Sequence, residues 1–217
     1  MNRLTKKFIG LRIMYAPLRW YKLLFHRSSH LRVSGWRRSL RERKPVDAEG
    51  QPLPWMNYAV IALLKERLKK DMRLFEYGCG YSTLFYAERV GSVTAVEYDA
   101  TWLARIKEIA PDNVRLIHQS ADVDGAYCRT VHTGNERYDV VIVDGRDRVH
   151  CVQQAMEALT PRGVLLLDDS HREAYRKGLQ HALAQDFRVL HFEGLKPTGT
   201  DHERTTLLYR PDNCFDI

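Results

Sequence analysis

The sequence predicts an α/β fold, a doubly wound and mostly parallel seven-stranded sheet that closes with an antiparallel C-terminal hairpin strand. Three observations predict it. Five short apolar runs recur between residues 72 and 168, each separated from the next by a helical pattern. A glycine pair stands directly behind the first run, in FEYGCGYSTL (residues 75–84). The last two strand-like runs are joined by the polar stretch GLKPTGTDHE, which reads as a loop without a helix. Strands separated by helices require right-handed crossovers, and hence a parallel sheet covered on both faces. A helix-free connection instead turns the last strand back on its neighbour.

In chain order, VDAEGQPLPW (46–55) is a Gly/Pro-rich linker, and MNYAVIALLKERLKK (56–70) has the spacing of an amphipathic helix. Strands are predicted at 72–77, 92–97, 113–118, 138–143 and 162–168, with helices at 82–90, 100–110, 147–160 and 171–184. Two further strands, 187–193 and 204–210, form the terminal pair. The long connection 119–137, holding Tyr127 and His132, is expected to wall part of a pocket.

At 217 residues, 44% hydrophobic and 28% charged, the chain has the composition of a folded globular domain and not of a fibrous or low-complexity one. Charge divides it in two. Residues 1–45 carry thirteen Lys and Arg against one acid, Glu42, so with a chain total of +7 the remainder is acidic. We therefore expect a basic, partly amphipathic arm (1–45) on a folded α/β domain (46–217). Leu4, Phe8, Leu11, Tyr15 and Leu18 fall on one helical stripe, and Trp20 and Tyr21 are suited to a membrane–water interface. Residues 1–44 are expected to meet an anionic membrane surface, with nucleic acid as the weaker alternative, since both attract cations. No apolar run reaches the ~18 residues of a membrane span. The N-terminal apolar stretch is broken by Arg12 and Pro17, and no small-residue cleavage site follows. Four cysteines without CxxC spacing read as free thiols. The expected location is the cytoplasm, or the inner face of a membrane.

A doubly wound sheet binds ligands at the carboxyl ends of its strands. Gly78 and Gly80 follow the first strand, and Glu97 ends the second, a spacing that suits a nucleoside cofactor with the acid on the ribose hydroxyls. The third glycine of a dinucleotide fingerprint is replaced by Thr83, and no phosphate-loop lysine follows. The pattern Glu76-x-Gly78-x-Gly80, with Glu97 closing strand two and a terminal hairpin, resembles the class I S-adenosylmethionine-dependent methyltransferases over about residues 55–210. The resemblance implies S-adenosylmethionine as cofactor. It places residues 78–83, Ser82 among them, at the methionyl end, Glu97 and Tyr98 at the adenosine, and Asp122 near the adenine.

Asp144 ends the fourth strand and Asp168 and Asp169 the fifth, three carboxylates that repel one another unless a cation or donor separates them. Hard oxygen ligands of this kind suit Mg²⁺ or Mn²⁺. The arrangement is similar to that of cation-dependent catechol-type and sugar O-methyltransferases. Two alternatives stand beside it. Asp169 or Ser170 would cap the next helix, and Asp144 would contact the cofactor's ammonium. Where the catechol-type pattern has a basic residue three positions after the strand-four acid, this chain has Asp147. His171 is therefore the candidate proton acceptor, ahead of His150. Arg146 is the candidate to orient an anionic substrate group. Together these readings lead us to expect O-methylation of a small or glycan hydroxyl, the glycan from an overall resemblance to bacterial polysaccharide-pathway methyltransferases. A nucleic-acid methyltransferase, lacking the Asp/Asn-Pro-Pro-aromatic motif of base N-methylation, and a non-catalytic partner protein are the alternatives.

Overall fold

The computed structural model describes residues 17–217. Seven strands form one sheet: β1 (Arg73–Tyr77), β2 (Ser92–Glu97), β3 (Val114–His118), β4 (Tyr138–Val143), β5 (Leu159–Leu167), β6 (Arg188–Gly194) and β7 (Glu203–Tyr209). Their spatial order is β3-β2-β1-β4-β5-β7-β6. The first five pair in parallel. β7 inserts between β5 and β6 and runs antiparallel to both. The order reverses at β1/β4, the point at which such sheets hold ligands.

The helices are α1 (His30–Val33), α2 (Trp36–Glu42), α3 (Tyr58–Arg67), α4 (Tyr81–Ala87), α5 (Ala100–Lys107), α6 (Ala126–Arg129), α7 (Arg148–Ala158) and α8 (Arg176–Leu183). Residues 17–25 are also helical. Their starts are chemically marked. The Asn57 side chain accepts from Val60 N ahead of α3, and Asp99 accepts from Thr101 N and Trp102 N ahead of α5. The central strands β1, β4 and β5 are buried on both faces, as parallel strands between helical layers must be. One core layer unites Phe75, Tyr77, Tyr127, Cys151 and Val152. The other unites Met56, Val60, Leu64, Phe85, Tyr86 and Phe215.

Two expectations change. The helix predicted at 171–184 is a 3₁₀ turn, Glu173–Tyr175, followed by α8 from Arg176, so neither Asp169 nor Ser170 caps it. Nor is position 45/46 a break in the packing. Leu31 and Ser39 are buried, the Ser39 hydroxyl donates to Val46 O at 2.7 Å, and Trp36 Nε1 donates to Gly199 O at 2.7 Å. From Ser29 onward the basic segment is part of the packed body. Leu4, Phe8, Leu11 and Tyr15 of the stripe lie outside the described residues.

Candidate active site

A cleft opens at the carboxyl ends of β1, β2 and β4. Gly78 turns the chain out of β1 at φ +95°, a conformation that a side chain would strain. The turn after β4 lies against it. A Cβ on Gly145 would come within 2.1 Å of Tyr127 Oη and 3.0 Å of Gly78 N, so only glycine lets the two turns touch.

Glu76 is sealed beneath the first turn at 1% exposure. Ser82 Oγ and Thr83 Oγ1 both hydrogen-bond to its carboxylate, the latter at 2.6 Å, and Thr83 Oγ1 accepts from Gly80 N at 2.9 Å. Thr83, which breaks the dinucleotide fingerprint, is thus the clasp of the loop. Burial pushes the Glu76 carboxyl up to about 8, against those two hydrogen bonds. Glu97 accepts from Cys79 N at 3.1 Å and from Tyr98 N and Asp99 N at 2.9 Å each. These three bonds hold it rigid and leave lone-pair capacity on Oε2.

Glu76, Gly78, Ser82, Glu97, Tyr98, Asp144 and Arg146 all line one lobe of the cleft, a cavity of about 410 Å³. Arg146 donates to Tyr98 Oη at 2.7 Å and lies 4.6 Å over its ring, joining the β4 and β2 ends of the cavity. A second lobe of about 460 Å³ is lined by Trp55, Tyr81 and Trp102, with Arg43 and Lys44 at its edge. Cys79, Ser82 and Asp144 line both lobes. Burial pushes the Cys79 thiol up, so it is a poor nucleophile.

The three acids expected to share a divalent ion are separated by a guanidinium. Arg148, 8% exposed, donates to Asp144 Oδ1 at 2.8 Å and to the Asp168 carbonyl at 2.6 Å, and lies 3.5 Å from Asp169 Oδ2. Asp169 also meets Arg172 at 2.7 Å and Lys196 at 3.3 Å. Asp168 is turned away and accepts from Thr205 Oγ1 at 2.5 Å. Burial, with the neighbouring acids, raises Asp168 well above the usual carboxylate range. Asp169 is also pushed up by burial, but Arg148, Lys196 and Arg172 outweigh that and hold it below. Burial brings Asp144 up to about 6 even though Arg148 opposes the shift. The donor set therefore does not fit Mg²⁺ or Mn²⁺, because a fixed cation stands where the ion would. Among the described residues, Asp169, His171 and Glu203 bring ligand atoms within 4.8 Å of one another. There the Lys196 ammonium already sits 3.3 Å from both acids.

Other predicted residues stand apart from the cleft. His171 is exposed, with Nδ1 3.8 Å from Glu203 Oε2, and lines neither lobe. Asp122 spends its carboxylate on Ala126 N and Tyr127 N at the start of α6, and it too lines neither lobe. Tyr127 is buried behind Gly145, and His132 pairs with Gln154. His150 is held by Asp147, whose other oxygen accepts from Asp124 N. Sequence reasoning missed Arg148, Arg172, Tyr175, Lys196 and the second lobe. Only Arg148 carried a local signal, being four residues after Asp144 in a helical pattern.

Residues 75–170, which run from β1 to the turn after β5, match the family model described as a methyltransferase domain. Among solved structures, a putative O-methyltransferase from Klebsiella pneumoniae superposes with a TM-score of 0.58 at 15% identity, over 92% of this chain and 99% of its own. A methyltransferase-like protein from Silicibacter pomeroyi gives 0.52 at 24% identity, over 74% and 90%. A putative methyltransferase from Streptococcus mutans, solved in complex with SAH, gives 0.51 at 15% identity, over 68% and 94%. At these identities the likeness is one of fold. No curated protein matches the sequence. The fold is that of the class I methyltransferases, and the match to a methyltransferase domain covers its central part, residues 75–170.

Proposed function

We infer that this methyltransferase takes its methyl group from S-adenosylmethionine and places it on an oxygen of a small hydroxylated acceptor, such as a sugar ring. The observation that carries this reading is Asp144, a carboxylate shared by two lobes of one cleft. The first lobe has the size of a small-molecule site. Glu97 would hold the ribose hydroxyls, the Gly78 turn the methionyl end, and Tyr98 the adenosine. Bound there, S-adenosylmethionine would supply a methyl group made electrophilic by its sulfonium. The second lobe offers Trp55, Tyr81 and Trp102 to the face of a ring, and Arg43 and Lys44 to an acidic substituent on it.

An acceptor hydroxyl must lose its proton as its oxygen bonds to carbon. Asp144 supports the role of acceptor better than His171, since it borders both lobes. With its pKa brought up to about 6 it is ionised at neutral pH, yet more basic than an ordinary aspartate. Arg148 keeps that carboxylate in place.

The test joins calorimetry to turnover. S-adenosylhomocysteine should bind the full chain, and Asp144→Asn should keep that binding while turnover on a hydroxylated acceptor falls about 10²–10⁴-fold. Binding of NAD without S-adenosylhomocysteine would refute the cofactor, and full turnover in Asp144→Asn would refute the base.

A further inference from the structure

Beside α2 lies an arginine-lined cavity next to an apolar helix. Arg32, Arg37, Arg38 and Arg41 line a space of about 510 Å³. Arg38 is engaged by Glu42 and by the Ala48 carbonyl. Arg32 and Arg37 make no ion pair among the described residues, so their charge faces the cavity uncompensated. The helical residues 17–25 stand beside it, with the Arg37 guanidinium 5.3 Å over the Phe25 ring. That helix shows its apolar side chains to solvent, with Trp20 62%, Tyr21 59% and Phe25 51% exposed, and Leu18 and Leu24 beside them. Contiguous exposure of this kind marks an interaction surface.

We propose that residues 17–41 dock on the face of a membrane rich in anionic lipid. Trp20, Tyr21 and Phe25 enter the boundary between headgroups and acyl chains, and Arg32 and Arg37 receive the lipid phosphates. Two features select this occupant. Aromatic and aliphatic side chains among cations are what an interfacial helix needs, whereas a phosphate backbone would use only the cations. Nine Lys and Arg between residues 17 and 45, against Glu42 alone, oppose a second copy of the same surface. No helix among the described residues is long and apolar enough to cross a membrane, so the contact proposed lies at the surface. α2 leads from the arginine cavity directly into Arg43 and Lys44 of the second catalytic lobe. A docked protein would therefore receive its acceptor from the membrane side. The docking itself does not depend on the acceptor's identity.

The full-length protein is to be sedimented with phosphatidylcholine vesicles, with and without phosphatidylglycerol, over a range of salt. It should pellet with the acidic vesicles alone, and less as salt rises. The double variant Trp20→Ser/Phe25→Ser should weaken binding by about tenfold or more. Arg32→Gln/Arg37→Gln should weaken it and flatten the salt dependence. Both variants should bind S-adenosylhomocysteine as the parent does, which shows that the fold is intact. Failure to pellet with acidic vesicles would overturn the proposal, as would pelleting that ignores either variant. Salt-dependent RNA binding without vesicle binding would assign the surface to nucleic acid. A dimer dissolved by Trp20→Ser/Phe25→Ser would assign it to a second copy.

Discussion

Glu76 is a carboxyl group sealed under the loop it organises, and its burial makes a pH-dependent contribution to stability. Its folded pKa of about 8 stands above the ordinary 4.5. Between those values the folded chain keeps a proton that the unfolded chain has released. The contribution is fully present below the unfolded pKa and is lost as pH rises through about 8, at about 1.4 kcal/mol per pH unit. Gln at this position keeps the shape and hydrogen-bonding capacity of the protonated acid and has no proton to lose. Glu76→Gln should therefore melt with a flatter pH dependence than the parent between about pH 5 and pH 8. Equal slopes in the two proteins would mean that Glu76 is ionised in the fold. The sequence identified this acid by its motif, as one of the cofactor residues. That it also clasps Ser82 and Thr83 was not legible, because a hydroxyl pair after a glycine turn reads equally well as solvent-facing.

At the scale of elements, the cleft exists because the turns after β1 and β4 touch. The sequence pointed to Gly78 and was silent on Gly145, since an Asp-Gly pair after a strand is common turn chemistry. Its role comes from Tyr127, eighteen residues earlier in the chain and delivered by α6, a helix absent from the predicted elements. Gly145→Ala should be destabilised by about 1–3 kcal/mol through overpacking. Tyr127→Phe removes the hydroxyl that the new methyl group would strike, so the double variant should recover part of that loss. Urea unfolding of the parent, both single variants and the double variant measures the coupling. Strict additivity would show that the contact with Gly78 N, and not the tyrosine, sets the cost.

For the whole molecule, the decisive matter is how three carboxylates coexist at neighbouring strand tips. Arg148 comes from α7, Arg172 from the turn after β5, and Lys196 from the β6–β7 loop. Together they compensate the cluster that the sequence assigned to a divalent ion. Turnover should accordingly be the same with EDTA as without, and added Mg²⁺ should change nothing. Arg148→Met should lose about 3–5 kcal/mol of stability, because it strands buried charge. Loss of turnover in EDTA, restored by Mg²⁺, would return the acids to the metal.

What the sequence determined by itself is periodic or local. Apolar runs placed all seven strands, Gly78 and Glu97 marked the first lobe of the cleft, and the helix-free connection made the last strand antiparallel. Each signal lies within one element or one crossover, where chain geometry alone dictates position. The tertiary structure decided the rest. It set β7 between β5 and β6, and it brought Trp36 to Gly199 across 163 residues. It also put Lys196 beside Asp169, left His171 outside the cleft, and made Asp144 common to both lobes. Charge and packing act over a few ångströms of space regardless of separation along the chain. The protonation of an acid, and whether a cation beside it is a metal or an arginine, therefore follow only once the fold has chosen its neighbours.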